Sequence, residues 1–324
     1  MRSRGCRLCQ QGAKLVLFIT GRCPKACWYC PIARERKGTD VILANDREVT
    51  SPSEAIAEAR LMSALGTSIT GGEPLVVLDR VIEYTRSIKD SFGPDHHIHL
   101  YTGLAPDRDT LTALSGMVDE IRLHPPPEEW PVIRASRYLE SVAVAKELGF
   151  SAGFEVPALR DVESLEVALP ELDFLNVNEL EWGEIGGDEM RKRGLQLADG
   201  LHNAVKNSTR WAQPLRHHKK VNFCPSRYKD SVQLRERLKR IAHNTARPFD
   251  EVTEDGTVMY GVVEVPTEGE DPRGKLKRGK FQDYGDHLEL SWKYLKRNAE
   301  DLPGRKYIIE RYPNRGIVVE LIPL

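Results

Sequence analysis

Hydrophobic and polar positions along the chain follow two rhythms, and they change places near residue 247. Before that point short apolar runs alternate with amphipathic stretches. KLVLFIT (14–20) is the first run, and it ends in a glycine-containing loop. Ser51-Pro52-Ser53-Glu54 then supplies a capping serine, proline at the first helical position and glutamate in the first turn, which predicts a helix reaching Leu65. Strands are expected over Thr67–Thr70, HIHLYT (97–102), EIRLH (120–124), GFEVP (153–157), FLNVNEL (174–180) and VNFC (221–224). Helices are expected over 78–91, 107–117, 136–148, 161–171 and 230–243. Strand and helix alternating at this spacing imply parallel strands joined by right-handed crossovers. The expected fold is therefore α/β, a partial or full (β/α) barrel. A doubly wound sheet is the alternative, because strand order is not written in the pattern.

After Pro248 the rhythm shortens. TVMYGVVEV (257–265), HLELSWKYL (287–295), KYIIERY (306–312) and GIVVELI (316–322) alternate or run apolar without long helices between them. EGEDPRGKLKRGK (268–280) reads as a solvated connecting loop. Three regions are expected: a cysteine-containing tail over 1–13, a barrel over 14–246, and a small β-rich α/β domain over 247–324.

Composition narrows the setting. Hydrophobic residues make up 40% and charged residues 29%, ordinary for a soluble globular chain. A net charge of −1 exerts no overall pull toward nucleic acid or membrane. MRSRGCRLCQQ (1–11) has arginines but no apolar segment of a secretory signal, and no apolar run approaches the roughly 18 residues of a membrane span. A cytoplasmic location is expected, where thiols stay reduced, so disulfides are the weakest reading of the cysteines.

Half of the six cysteines lie in GRCPKACWYCP (21–31), as Cys23, Cys27 and Cys30. Thiolates are soft ligands, suited to zinc or iron–sulfur chemistry. Structural zinc sites use four protein ligands. Three close cysteines with no fourth nearby suit a [4Fe–4S] cluster with one iron left open. A loop following the first strand would stand at the C-terminal mouth of the barrel, where sites of such folds sit.

The C-x3-C-x2-C spacing, with Tyr29 before the third cysteine, resembles the cluster loop of the radical S-adenosylmethionine (SAM) superfamily. ITGGEPL (69–75) resembles that superfamily's GGE motif and follows the second expected strand, where two glycines let the backbone approach a ligand closely. The general features resemble proteins related to the pyruvate formate-lyase activating enzyme. The resemblance implies a cluster on Cys23, Cys27 and Cys30. It implies SAM on the open iron, cleaved reductively to a 5′-deoxyadenosyl radical that takes hydrogen from an unidentified substrate. Gly71, Gly72 and Glu73 would line the methionyl site, and the Tyr29 backbone would touch adenine. A reductase or other electron donor is the implied partner. Glycyl-radical activation is not carried over, since nothing in the chain identifies a protein partner.

Period-two reading places Arg122 with His124, and Asn176 with Asn178, each pair on one face of its strand, while Glu155 sits between apolar neighbours. Polar groups in buried strands need a partner. They either pair with one another or contact SAM or substrate. The remaining thiols, Cys6, Cys9 and Cys224, are candidates for a second metal site, either another iron–sulfur cluster or zinc completed by His217 or His218. Alternatively, Cys224 is a small buried apolar residue. Finally, residues 161–190 carry ten acidic and no basic side chains, whereas 206–240 carry eleven Lys or Arg interleaved with Trp211, Phe223 and Tyr228. Such a run grips RNA or forms the solvated face of a helix. A radical SAM RNA-modifying enzyme and a non-catalytic zinc-binding RNA or protein adaptor are the rival readings.

Overall fold

The computed structural model describes residues 2–324. The chain forms two compact units: Ala64–Gln233 with the chain up to Arg60, and Leu234–Leu324 with Leu61–Ser63. Among the described residues no helix is long and apolar enough to cross a membrane.

The first unit is built on an open nine-stranded sheet. Its strands are β1 (Lys14–Phe18), the hairpin β2 (Leu43–Ala44) and β3 (Arg47–Glu48), β4 (Gly66–Thr70), β5 (His97–Thr102), β6 (Glu120–Leu123), β7 (Ser151–Pro157), β8 (Phe174–Asn178) and β9 (Val221–Cys224). The order is β3-β2-β1-β4-β5-β6-β7-β8-β9, and from β1 onward every neighbouring pair apart from the hairpin is parallel. Each parallel strand lies beside its predecessor, with none of the reversal that defines a doubly wound sheet. This is a partial barrel, and the doubly wound alternative is set aside.

Strict alternation gives the sheet two unlike faces. Leu15, Leu17, Ile69, Ile98, Leu100, Ile121, Leu123, Phe154, Val156, Leu175 and Val177 form one, buried and apolar. The other carries Ser68, His99 and Glu120 in one cross-strand row, then Glu155, Asn176 and Asn222, then Asn178 and Cys224. Barrel interiors are usually packed with branched apolar residues; this one is polar.

The helices α2 (Pro52–Leu61), α3 (Leu78–Phe92), α4 (Arg108–Leu114) and α5 (Arg137–Glu147) match the expected crossovers, α3 one residue longer than expected and the others shorter. The helix predicted to reach Leu65 stops at Leu61, because Ser63 turns the chain at φ +47° into β4. The segment 161–171 forms only a 3₁₀ turn, Val162–Ala168, which Pro170 cannot extend. The stretch predicted as one helix over 230–243 opens with wide π-type turns, Lys229–Leu234, before the α-helix Arg235–Thr245. The helix α1 (Arg4–Gln10) had no periodic signal; Ser3 caps it by accepting from the Cys6 amide.

The second unit is a six-stranded antiparallel sheet ordered β12 (Phe281–Asp283), β13 (His287–Leu290), β11 (Val258–Glu264), β14 (Lys306–Arg311) and β15 (Val318–Pro323), with β10 (Glu251–Val252) pairing β11. HLELSWKYL does not stay extended: Ser291 caps a helix, Trp292–Arg297, by accepting from the Tyr294 amide. Nor is 268–280 solvated throughout, since Leu276 packs in the core with Val263, Leu288, Leu290, Leu295 and Leu302.

Candidate active site

The loop after β1 leaves the sheet at the C-terminal ends of the parallel strands and carries Cys23, Cys27 and Cys30. A turn closes it, the Cys30 amide donating to the Cys27 carbonyl at 3.1 Å. The Lys25 amide donates to Cys23 Sγ at 3.4 Å. Burial pushes the Cys27 thiol up against the pull of the Tyr29 hydroxyl, and the charges of Cys30 and Cys23 add to it. Cys27 thus feels the other two sulfurs. Among the described residues, however, no three cysteine sulfurs gather within 4.8 Å; Glu166, His217 and His218 do so instead.

All three cysteines line a cavity of about 280 Å3 with Gly71, Gly72, Glu73, Tyr29, His124, Glu155 and Asn178. Sequence motifs 48 residues apart, from Cys23 to Gly71, thus meet in one space. The glycines serve the protein itself here. A Cβ on Gly72 would lie 2.4 Å from the Arg22 carbonyl oxygen, and one on Gly71 would lie 2.4 Å from that of Thr20. That closeness lets the Gly72 amide donate to Thr20 O at 2.7 Å and the Glu73 amide to Arg22 O at 2.8 Å, which seats the motif against the cysteine loop. Glu73 is fully buried and accepts from the Leu75 amide, the Thr102 hydroxyl and the Gly103 amide at 3.0, 2.8 and 2.7 Å. Burial nevertheless raises its pKa. A carboxylate has about four lone-pair sites, so acceptor capacity remains on this cavity-lining residue.

His124 Nδ1 lies 2.8 Å from the Glu155 carbonyl oxygen, an acceptor, so this nitrogen carries the proton. Nε2 then accepts from the Tyr29 hydroxyl at 3.0 Å. Burial lowers the His124 pKa, which keeps the ring neutral. Glu155 is a hub: Arg122 Nη1, Tyr101 Oη, Asn176 Nδ2 and Asn178 Nδ2 donate to it at 2.7, 3.0, 3.0 and 2.8 Å. Arg122, 2% exposed, also donates through Nε to Glu120 at 2.6 Å. Burial raises the Glu120 pKa, but Arg122 and His97 outweigh it and hold it at about 2. Arg122 and Asn176 thus pair within the protein, whereas His124, Glu155 and Asn178 also face the cavity.

Cys6 and Cys9 on α1 meet Cys224 at the end of β9 in a second cavity of about 100 Å3. Neither His217 nor His218 lines it; His218 Nε2 pairs instead with Glu166 Oε1 at 3.0 Å. Sequence reasoning also missed Gly183 and Gly186. A Cβ on them would lie 2.4 Å from the Cys30 carbonyl oxygen and 2.1 Å from that of Trp28. The only sign of this close approach was the glycine-rich WGEIGG. Lys229, inside the basic run, was missed too; it lines both cavities and pairs with Glu181 at 2.5 Å.

Residues 8–122 match the family described as a 4Fe-4S single cluster domain, and 256–324 match a domain of unknown function. A protein of Methanocaldococcus jannaschii, which bears the provisional name glycyl-radical enzyme activating enzyme, is 37% identical over 285 residues, 80% of this chain and 72% of its own. Among solved structures, SuiB of Streptococcus suis bound to S-adenosylmethionine aligns at a TM-score of 0.41 and 13% identity, over 66% of this chain and 50% of its own. A mandelate racemase/muconate lactonizing family protein of Azoarcus sp. aligns at 0.32 and 14%, over 61% and 47%. The chain thus spans about half the length of these two solved proteins. The adaptor reading falls away: by its likeness to the M. jannaschii protein and its 4Fe-4S domain, this chain belongs to the radical SAM superfamily and is a radical SAM enzyme.

Proposed function

We propose that the larger cavity is the radical site, where Cys23, Cys27 and Cys30 hold the [4Fe–4S] cluster and Gly71, Gly72, Glu73, Tyr29, His124, Glu155 and Asn178 border SAM. The convergence of the cysteine loop and the GGE segment on one cavity carries this reading. With SAM bound, the reduced cluster supplies a 5′-deoxyadenosyl radical. The chain's own part is to hold and shield. The Lys25 amide donates to one sulfur. Glu73 keeps a lone pair for an ammonium group. Arg122 and Asn176 brace Glu155 from below the cavity.

The hydrogen donor we assign is a glycine of a partner protein. The M. jannaschii relative's name supports this, and the apolar lining of Pro31, Ile32, Pro74 and Leu180 is compatible with a polypeptide. RNA is the weaker reading, because the basic run spends charges internally: Lys229 pairs with Glu181, and Lys220 donates to the carbonyls of Leu169, Pro170 and Leu172. The reading further assigns a reductase as electron donor, a cytoplasmic setting, and a separate metal centre on Cys6, Cys9 and Cys224. Anaerobic protein reduced with dithionite is expected to convert SAM to 5′-deoxyadenosine and, with a glycyl-radical enzyme from the same cell, to generate a glycyl radical signal by electron paramagnetic resonance (EPR). Absence of 5′-deoxyadenosine would end the radical-site assignment; its presence without a glycyl signal would end the substrate assignment.

A further inference from the structure

We infer that Cys6, Cys9 and Cys224 hold a second iron–sulfur cluster, seated in the smaller cavity against a wall shared with the radical site. The inference rests on the metal-centre reading above and fixes the kind of centre. Tyr101, Glu155, Asn178 and Lys229 line both cavities, so they form that common wall.

Spacing of the sulfurs favours a cluster over zinc. One zinc ion with Zn–S bonds of about 2.3 Å draws its thiolates to roughly 4 Å from one another. These three are not gathered within 4.8 Å. They nevertheless line one small cavity together. Cys23, Cys27 and Cys30 show the same combination, one shared cavity without convergence on a point. A cluster asks for that arrangement, since each thiolate takes its own iron.

The surroundings suit a negatively charged centre. Arg122 Nη2 and Asn222 Nδ2 approach Cys6 Sγ at 3.6 and 3.8 Å, as N–H groups that support a cluster thiolate. The thiol itself donates to Asn176 Oδ1 at 3.4 Å. Three cations, Arg2, Arg122 and Lys229, line the cavity. Three thiols also leave one iron of a [4Fe–4S] cluster for a ligand other than cysteine.

Iron and sulfide analysis of the full chain, reconstituted anaerobically, tests this. The native protein is expected to hold about eight irons, and Cys6→Ser/Cys9→Ser/Cys224→Ser and Cys23→Ser/Cys27→Ser/Cys30→Ser about four each. The first variant should retain an EPR signal that shifts on adding SAM, and the second should lose that response. Cys224→Ser alone, which leaves α1 untouched, should match the first variant if the triple change unfolds. About four irons in the native protein, with none in Cys23→Ser/Cys27→Ser/Cys30→Ser, overturns the inference and leaves the radical site standing. A zinc ion lost with Cys6, Cys9 and Cys224 overturns it as well. If instead Cys23→Ser/Cys27→Ser/Cys30→Ser keeps the SAM-responsive signal, the radical-site reading fails.

Discussion

Two cysteine triads face opposite sides of one polar wall, and they differ in how the chain assembles them. Cys23, Cys27 and Cys30 sit within eight residues of a single loop closed by its own turn. Cys6 and Cys9 must wait for Cys224, more than 210 residues away, so they meet only when the sheet from β1 to β9 is complete. A local triad can be loaded or emptied with little effect on the fold. A triad tying the first helix to an edge strand couples its occupancy to global stability, because a ligand that binds only the folded state stabilises it.

The largest effect should come from the local triad. Cys23→Ser/Cys27→Ser/Cys30→Ser is expected to bring 5′-deoxyadenosine formation to background while urea unfolding moves by less than about 1 kcal/mol, since half-buried loop positions outside the core contribute little. A comparable loss of stability would mean that the loop is as deeply built into the fold as the second triad. Next comes Arg122→Met. It leaves Glu120 and Glu155 buried with their cation gone, at a cost of about 3–5 kcal/mol. It should also strip the second triad of iron before the first, as iron counts along a denaturant series would show.

Gly72→Ala sharpens the comparison from the other side. Its methyl would press on the Arg22 and Gly21 carbonyls, 2.4 and 2.6 Å from the ideal Cβ. Overpacking of this kind costs about 1–3 kcal/mol. The strain falls on the loop that carries Cys23, so the EPR response to SAM should weaken while the second triad keeps its iron. Equal losses at both would show that the wall transmits the disturbance.

The contrast also explains what was legible in the chain. Local patterns were readable: HIHLYT is β5 residue for residue, and C-x3-C-x2-C and GGE stand where their motifs place them. Alternation written strand by strand also held the polar face, in which Arg122, Glu155, Asn176 and Asn178 stood out early. What required the assembled fold was less visible. The helix α1 has seven residues and no apolar period, and it is held by Ser3 and by Glu120, which accepts from the Gly5 amide at 3.3 Å. Gly183 and Gly186 matter because a loop elsewhere in the chain lies against them. The partners of Arg122 come from three strands and α1, so no single stretch announces whether it contacts a ligand or the protein.

The smallest expected effect concerns the floor beneath the second triad. Lys14 Nζ is buried 3.0 Å from His97 Nδ1 and from His99 Nδ1. Burial drives its pKa down to about 7 from 10.5, with Arg122 acting in the same direction and Cys9, Glu120 and Asp119 opposing. Between those two values the unfolded chain binds a proton that the folded chain has released, so stability must rise with pH. From pH 7 to 8 the gain is about 1 kcal/mol for one such group. Chemical denaturation across that range should show the slope in the native protein, and Lys14→Met should flatten it. A slope that survives in Lys14→Met would place the titrating group elsewhere on the polar face. A flattened one would show that the wall behind the fold-assembled triad bears an electrostatic load near neutral pH, which the local loop does not share.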